Sequence, residues 1–485
     1  MYSTLALTPV FCGSLLAGCI MYTVKNPRLK DSQSKVLGFM LVILAVGLII
    51  IFSGYRGLLS NPFVAFSGHH DLALRVTSPM SKVSSTGQSG SILGANMLLS
   101  ALKPQYVYGI MFDAGSTGSR IHVFKFKRVD PGKPFEFVEE LFEKVQPGLS
   151  SYADEPKKAA DSLRDMLDKA KEFIPKELWA TTPIALKATA GLRKLKNEDA
   201  DNILNEIHKL FVEYPFQQEN DSVVIMEGTD EGVFSWFTVN YYSGVLGEPS
   251  QMTGVMDLGG GSTQITFTPS DPNTITSAPT DYIINKNILG RITKIYTHSY
   301  LDLGLMAGRL QVMGGRVGVD ESHPLPTLNS ACLPEEYEGK IVFGQDEYQI
   351  KAVQPQGSRF EVCYAAAKAV IMKYNIHTAN EIQNKSFCTI SYYFDRAVEA
   401  GLIKEENGGK VKTGEFFEAA KKECASPKKE QPFLCLDLCY ISSLLDDGFK
   451  ISSSVSLNVQ KKIRGEEISW ALGAMFDFFS NHHYS

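Results

Sequence analysis

Asp113-Ala-Gly-Ser-Thr-Gly-Ser-Arg-Ile121 and Asp257-Leu-Gly-Gly-Gly-Ser-Thr-Gln-Ile265 are two versions of one pattern, 144 residues apart. Each follows a short apolar run (Tyr108-Gly-Ile-Met-Phe112 and Thr253-Gly-Val-Met256), and the step from Asp to Ile has the same length in both. The first run and the alternating Ile121-His-Val-Phe-Lys-Phe126 after it predict a β-hairpin with its tight turn at 114–119. Two strand–Asp–glycine turn–strand units predict two related half-domains facing a cleft. Pro156–Ile174 carries a helical period closed by Pro175, and strand-like and helical segments alternate thereafter. The class is therefore α/β.

A turn of Gly and Ser/Thr after a strand bares successive backbone N–H groups, which cradle phosphate oxygens. Glycine lets that backbone approach a ligand without a Cβ in the way. The leading acids, Asp113 and Asp257, can hold a hydrated divalent cation. One such turn reads equally well as a plain hairpin turn; the matched pair points to phosphate. Between them, Lys187-Ala-Thr-Ala-Gly-Leu-Arg193 follows the apolar run Pro183–Leu186. Its Thr189 can set a hydroxyl on a phosphate or a metal-bound water, or cap a turn. Ile225-Met-Glu-Gly-Thr-Asp-Glu-Gly232 places Glu231 between an apolar strand and a helix expected over Gly232–Tyr241. A carboxylate at such an edge accepts a proton from water. Alone, it reads as an acid at a helix N-terminus.

The 485 residues are 44% hydrophobic and 21% charged, which excludes a disordered, collagen-like or coiled-coil chain. Net charge −5 argues against general nucleic-acid binding. The charge is unevenly spread: residues 1–60 hold five basic side chains and one acid, and the rest has 43 basic against 52 acidic. Val36–Phe52 is free of charge, and Ser53-Gly54-Tyr55 extend it toward spanning length. The weaker apolar stretch Leu5–Val24 either stays out of the bilayer, giving a type II anchor, or spans as well, giving a hairpin. The basic residues between these stretches belong on the cytoplasmic side. In both cases the body after Tyr55 is lumenal or extracellular; a cleaved signal at 1–24 followed by a stop-transfer would leave it cytosolic, and the cysteines argue against that.

Six cysteines cluster in the last third without zinc-ligand spacing, and they read as disulfides of an oxidising compartment. The sequons at Asn220 and Asn384 are compatible with that route. Residues 57–104, rich in Ser and Gly over Pro79–Ser100, predict a flexible stalk whose cleavage would release the body.

Five stretches together resemble the apyrase regions of the ecto-nucleoside triphosphate diphosphohydrolase family: DAGSTGSR (113–120), KATAGLR (187–193), GTDEGVFSW (228–236), DLGGGSTQI (257–265) and SWALGAMF (469–476). All five stand in the family's order, and their wording most resembles its nucleoside-diphosphatase branch. The resemblance implies two RNase-H-like domains of the actin/hexokinase/Hsp70 superfamily around an interdomain cleft. Residues 105–227 with 462–485 would form domain I and residues 228–461 domain II, behind an anchor at 1–56. It also implies cation-dependent hydrolysis of UDP, GDP and IDP, with triphosphates slower, by a Golgi type II membrane protein acting as a monomer.

Family roles carry over by motif position. Glu231 matches the base that activates water, and Ser262 and Gln264 match the groups that position it. Asp113 and Asp257 match the carboxylates around a hydrated Ca²⁺ or Mg²⁺, with Thr189 nearby. Ser116, Thr117 and Gly118 match one phosphate loop; Gly259, Gly260 and Gly261 match the other. Tyr392, in Ser391-Tyr-Tyr-Phe394, lies where the family stacks the nucleobase, and Trp470 matches a packing position. The branch's two bridges fall on Cys332–Cys363 and Cys424–Cys435, leaving Cys388 and Cys439 as a third bridge or as buried thiols.

Two rival readings share these motifs: a sugar or acetate kinase of the same superfamily, and an inactive nucleotide-binding module at the cell surface. A kinase needs an Asp base and cytosolic ATP, against the lumenal anchor and Glu231. An inactive module would not need Glu231, Ser262 and Gln264 together.

Overall fold

A computed structural model describes residues 105–128, 135–288, 290–317, 325–344 and 346–482. The expected anchor, the stalk, Cys12 and Cys19 lie outside the described residues. No helix among the described residues is long and apolar enough to cross a membrane.

The opening pattern folds as expected. β1 (Gln105–Ala114) and β2 (Ser119–Arg128) form an antiparallel hairpin, and β3 (Glu136–Val145) continues it. β4 (Ile184–Ala188) and β5 (Val223–Ile225) join on the other side of β1 in parallel, giving the order β3-β2-β1-β4-β5. The second pattern builds the same arrangement. β6 (Gly254–Leu258) pairs antiparallel with β7 (Ser262–Phe267), which pairs antiparallel with β9 (Arg291–Leu301). On its other edge β6 pairs in parallel with β13 (Phe387–Ser391), and β13 with β15 (Ser456–Val459). The run β9-β7-β6-β13-β15 thus repeats the order and polarity of the first sheet. β8 (Ile283–Ile288) and β14 (Gly409–Lys412) extend its two edges. A small sheet of β10 (Leu328–Ser330), β11 (Glu338–Phe343) and β12 (Asp346–Ala352) adds to the second lobe.

Strand alternation explains the layering, because successive side chains point to opposite faces. On β1, Ile110 and Phe112 enter a core with the helices Pro156–Asp161, Arg164–Phe173 and Asn197–Val212. Met111 points the other way, into a core built around the helices Gly228–Ser243 and Trp470–Asn481. Val255, Ile295 and Ile390 of the second sheet enter that same central core, so these two helices are packed between the sheets. Gly228–Ser243 is accordingly apolar on all sides, with Val233, Phe234, Trp236 and Val239 all buried. The remaining face of the second sheet is covered by helices that include Leu305–Val312, Tyr392–Glu399 and Leu434–Ser443.

Two boundaries differ from the sequence reading. The period over 156–174 forms two helices, broken where Ser162 donates its hydroxyl to the Ala159 carbonyl at 2.6 Å. The helix carrying Glu231 begins at Gly228 instead of Gly232. Gly and Asp are weak helix formers, so this first turn has no propensity signal; packing between the sheets creates it. The bridges Cys332–Cys363 and Cys424–Cys435 are both formed. Cys388 and Cys439 are buried free thiols.

Candidate active site

The two glycine turns close with the same hydrogen bond. Gly115 N–H donates to Gly118 C=O, and Gly259 N–H donates to Ser262 C=O, each at 3.0 Å. Within the turns, the N–H groups of Ser116, Thr117, Gly260 and Gly261 meet no protein acceptor among the described residues. The carbonyls of the second turn point away from them: Leu305 N–H binds Gly259 C=O at 2.9 Å, and Met306 and Ala307 N–H bind Gly260 C=O at 3.0 Å. What remains is two short runs of free donors, the geometry that binds anions. The turns approach one another closely. A Cβ on Gly260 would stand 2.6 Å from Ser116 Oγ, so a larger residue there would have to push the Ser116 hydroxyl aside.

One cavity of about 420 Å³ collects most of the expected residues. Asp113, Thr189, Glu231 and Asp257 line it with Ser116 and Thr117 of the first turn, and Gly259, Gly260, Gly261 and Ser262 of the second. Tyr392 and Trp470 lie on its wall. Gly118 stands outside, against the Val145 carbonyl, while Gly115 is part of the wall. Gln264 sits behind the wall and reaches in. Its Nε2 lies 2.9 Å from Ser262 Oγ, 3.0 Å from Ser299 Oγ and 3.1 Å from Glu231 Oε2.

Glu231 is 8% exposed, in the first turn of its helix. Burial pushes its pKa up to about 7, against the opposing pull of the Arg193 guanidinium and with help from the charges of Asp257 and Asp113. Arg193 Nη2 lies 2.5 Å from Glu231 Oε2. A carboxylate in this state can take a proton near neutral pH. Its position depends on Gly232, where a Cβ would stand 2.5 Å from Thr266 Oγ1 of β7. Gly232→Ala is expected to lower the unfolding free energy by about 1–3 kcal/mol, the usual cost of overpacking. Urea titration followed by tryptophan fluorescence measures it.

Asp257 fits a cation. It is 6% exposed, and its Oδ1 has no hydrogen-bond partner among the described residues, whereas Oδ2 accepts from Ser235 Oγ at 3.3 Å. Burial raises its pKa against the opposing influence of the nearby Ser391 and Ser235 hydroxyls, and the Asp113 charge raises it further. A buried, unpartnered carboxylate oxygen beside a second acid is a hard-oxygen site of the kind Ca²⁺ or Mg²⁺ takes. Asp113 is held by Arg120 Nη1 at 3.2 Å. In the paired registers Arg120 faces Asp113 as Gln264 faces Asp257, so the two hairpins carry different groups at one position. Thr189 is buried, and its N–H donates to the Ala114 carbonyl at 3.0 Å.

Several contributors were not singled out from the sequence. Arg193 and Arg120 stand inside quoted motifs, and their pairing with acids follows only from the fold. Ser299 arrives from β9, which no motif marks. Ser391 lines the cavity with φ 61°, a costly conformation for a non-glycine residue. Tyr392 also borders a neighbouring cavity of about 300 Å³ with Phe433, Arg309 and Arg396. There Arg309 lies 4.1 Å over the Phe433 ring, and both arginines bind the buried Asp437. Trp470 is 5% exposed and belongs to the central core. The sequon residues Asn220 and Asn384 are exposed.

A profile of the GDA1/CD39 (nucleoside phosphatase) family matches residues 100–485. Nucleoside diphosphate phosphatase ENTPD5 of Homo sapiens is 43% identical over 376 residues, 76% of this chain and 87% of the relative. Ectonucleoside triphosphate diphosphohydrolase 6 of Homo sapiens is 41% identical over 378 residues, 77% of each. Among solved structures, a nucleoside triphosphate hydrolase from Neospora caninum superposes with TM-score 0.57 at 14% identity, covering 81% of this chain and 97% of its own. That likeness is one of fold: a two-lobed α/β body.

Proposed function

Because this chain belongs to the GDA1/CD39 (nucleoside phosphatase) family, we propose that it hydrolyses the terminal phosphate of nucleoside diphosphates to the monophosphate and phosphate. The observation that carries this reading is the shared cavity: two matched N–H turns, two acids and Glu231 converge on one space. Phosphoryl transfer to water depends on charge neutralisation and in-line placement more than on covalent chemistry. The free N–H groups of Ser116, Thr117, Gly260 and Gly261 cradle the pyrophosphate oxygens. Asp113 and Asp257 would hold Ca²⁺ or Mg²⁺ through water, with Thr189 beside them. That ion supplies charge neutralisation at the phosphates. Glu231 takes the proton of the attacking water, and Ser262 and Gln264 orient it. Arg193 keeps Glu231 in place by their ion pair. Tyr392, with Phe433 across the adjoining cavity, offers aromatic faces to the base.

Residues 105–227 with 462–485, and residues 228–461, are the two RNase-H-like domains of this proposal. The repeated strand order in the two sheets supports the division. The chain acts as a monomer, as the family resemblance implies. A type II anchor near residues 36–55 and a cleavable stalk at 57–104 make the body lumenal, with some released, and the family resemblance implies that this lumen is the Golgi's. The two disulfides and the exposed sequon residues support an oxidising compartment.

The test is phosphate release with Ca²⁺ or Mg²⁺ over a panel of nucleoside di- and triphosphates. UDP, GDP and IDP are expected to exceed ADP and every triphosphate. Transfer of phosphate to a sugar in place of water would overturn the reading. Protease protection in sealed microsomes checks the compartment: the body is expected to survive digestion from outside.

A further inference from the structure

Lys194 directly follows the short helix Ala190–Arg193 of the first lobe, yet its ammonium group binds the second. The side chain is 11% exposed, with Nζ 2.7 Å from Asp302 Oδ1 and 4.3 Å over the Phe343 ring. Burial pulls its pKa down while Asp302 pulls it back up. Asp302 lies just past the end of β9 with φ 71°, a conformation a non-glycine residue holds only under constraint. Two backbone ties constrain it. Its N–H donates to Gly261 C=O at 2.8 Å, and its C=O accepts from Gln311 Nε2 at 2.7 Å. Together with the bonds from Leu305, Met306 and Ala307, segment 302–307 therefore holds every carbonyl of the second glycine turn. Lys194 also shares the wall of a cavity of about 200 Å³ with Ser116 and Thr117 of the first turn. One cation thus stands beside one phosphate turn and grips the segment that shapes the other.

We propose that Lys194 and Asp302 form an interlobe latch, a positioning pair that sets the spacing of the two phosphate turns; this rests on the hydrolase reading above. Neither residue lines the main cavity, so the pair acts through the turns and not on the substrate. Lys194 and Asp302 are only partly buried, the Asp302 side chain being 27% exposed, so the pair adds little net stability and its role is to hold one geometry. Spacing matters because a misplacement of about 1 Å can cost on the order of 10²-fold in rate.

The test compares wild type with Lys194→Met, Asp302→Asn, the double variant and Lys194→Arg, each assayed on UDP with Ca²⁺ and melted by calorimetry. Lys194→Met is expected to lose about tenfold or more in kcat with KM within about twofold, and to melt earlier because Asp302 is left unpaired. The double variant is expected to regain much of the melting temperature, having no unpaired charge, while its kcat stays as low as that of Lys194→Met. Lys194→Arg is expected to keep most of kcat. If the double variant recovers kcat along with its melting temperature, the pair is only structural and the latch is overturned. Unchanged kcat in both single variants overturns it as well. A wild-type enzyme that releases no phosphate from UDP overturns both the latch and the hydrolase reading, so the two failures are distinguishable.

Discussion

Glu231→Gln is expected to lower kcat by about 10²–10⁴-fold, the usual worth of a positioned general base, while leaving KM nearly unchanged. The substitution keeps the shape of the side chain and its contact with Gln264, so the fold should persist; circular dichroism and the melting temperature check that. The pH profile gives a second readout. Burial holds the Glu231 pKa up to about 7, and the base must be ionised to accept a proton. In the free enzyme kcat/KM should therefore fall as pH drops through about 7, approaching tenfold per unit below it. In Glu231→Gln this limb should vanish. A folded variant with near wild-type turnover, or with the limb intact, would remove Glu231 from the chemistry.

Chelation and Asp257→Asn should each abolish most of the activity, through the same loss. A cation at transferring phosphates is worth several kcal/mol of transition-state stabilisation, so a drop of at least about 10²-fold is expected on removing it. Of the acids lining the cavity, Asp257 is the one with a buried oxygen, Oδ1, that has no hydrogen-bond partner among the described residues, which makes it the acid that most needs the ion. EDTA should silence the wild-type enzyme, and excess Ca²⁺ or Mg²⁺ should restore it. Asp257→Asn should need far more cation for half-maximal rate and should melt no lower than wild type without metal, because burial already disfavours the charged carboxylate. Undiminished turnover of the variant at wild-type cation levels would take Asp257 out of the site.

The matched turns made much of the fold legible. Two glycine-rich turns preceded by Asp could be read because each is local: strand, acid and donors sit within ten residues, and the hairpins form as that pattern predicts. Residues contributed from afar were not legible. Ser299 reaches Gln264 only because β9 lies beside β7, and strand neighbours are set by topology, not by adjacent residues. Arg193 and Arg120 lie within recognisable motifs, yet nothing in their spacing says that one faces Glu231 and the other Asp113. The start of the Glu231 helix was hidden for a different reason. Its first turn is Gly-Thr-Asp, poor in propensity, and only burial between the two sheets makes it helical. The cysteines divide in the same way. Spacing suggested an oxidising compartment, while the partners came from family resemblance and agree with the folded bridges.

The most direct measurement of the central claim is a crystal structure with Ca²⁺ and a nucleoside diphosphate analogue whose terminal phosphate cannot be hydrolysed. The terminal phosphate should rest between the N–H groups of Ser116 and Thr117 on one side and Gly260 and Gly261 on the other. A water should sit in line with its phosphorus, within hydrogen-bonding distance of Glu231. A phosphate bound away from these turns, or a Glu231 carboxylate directed away from that water, would contradict the account.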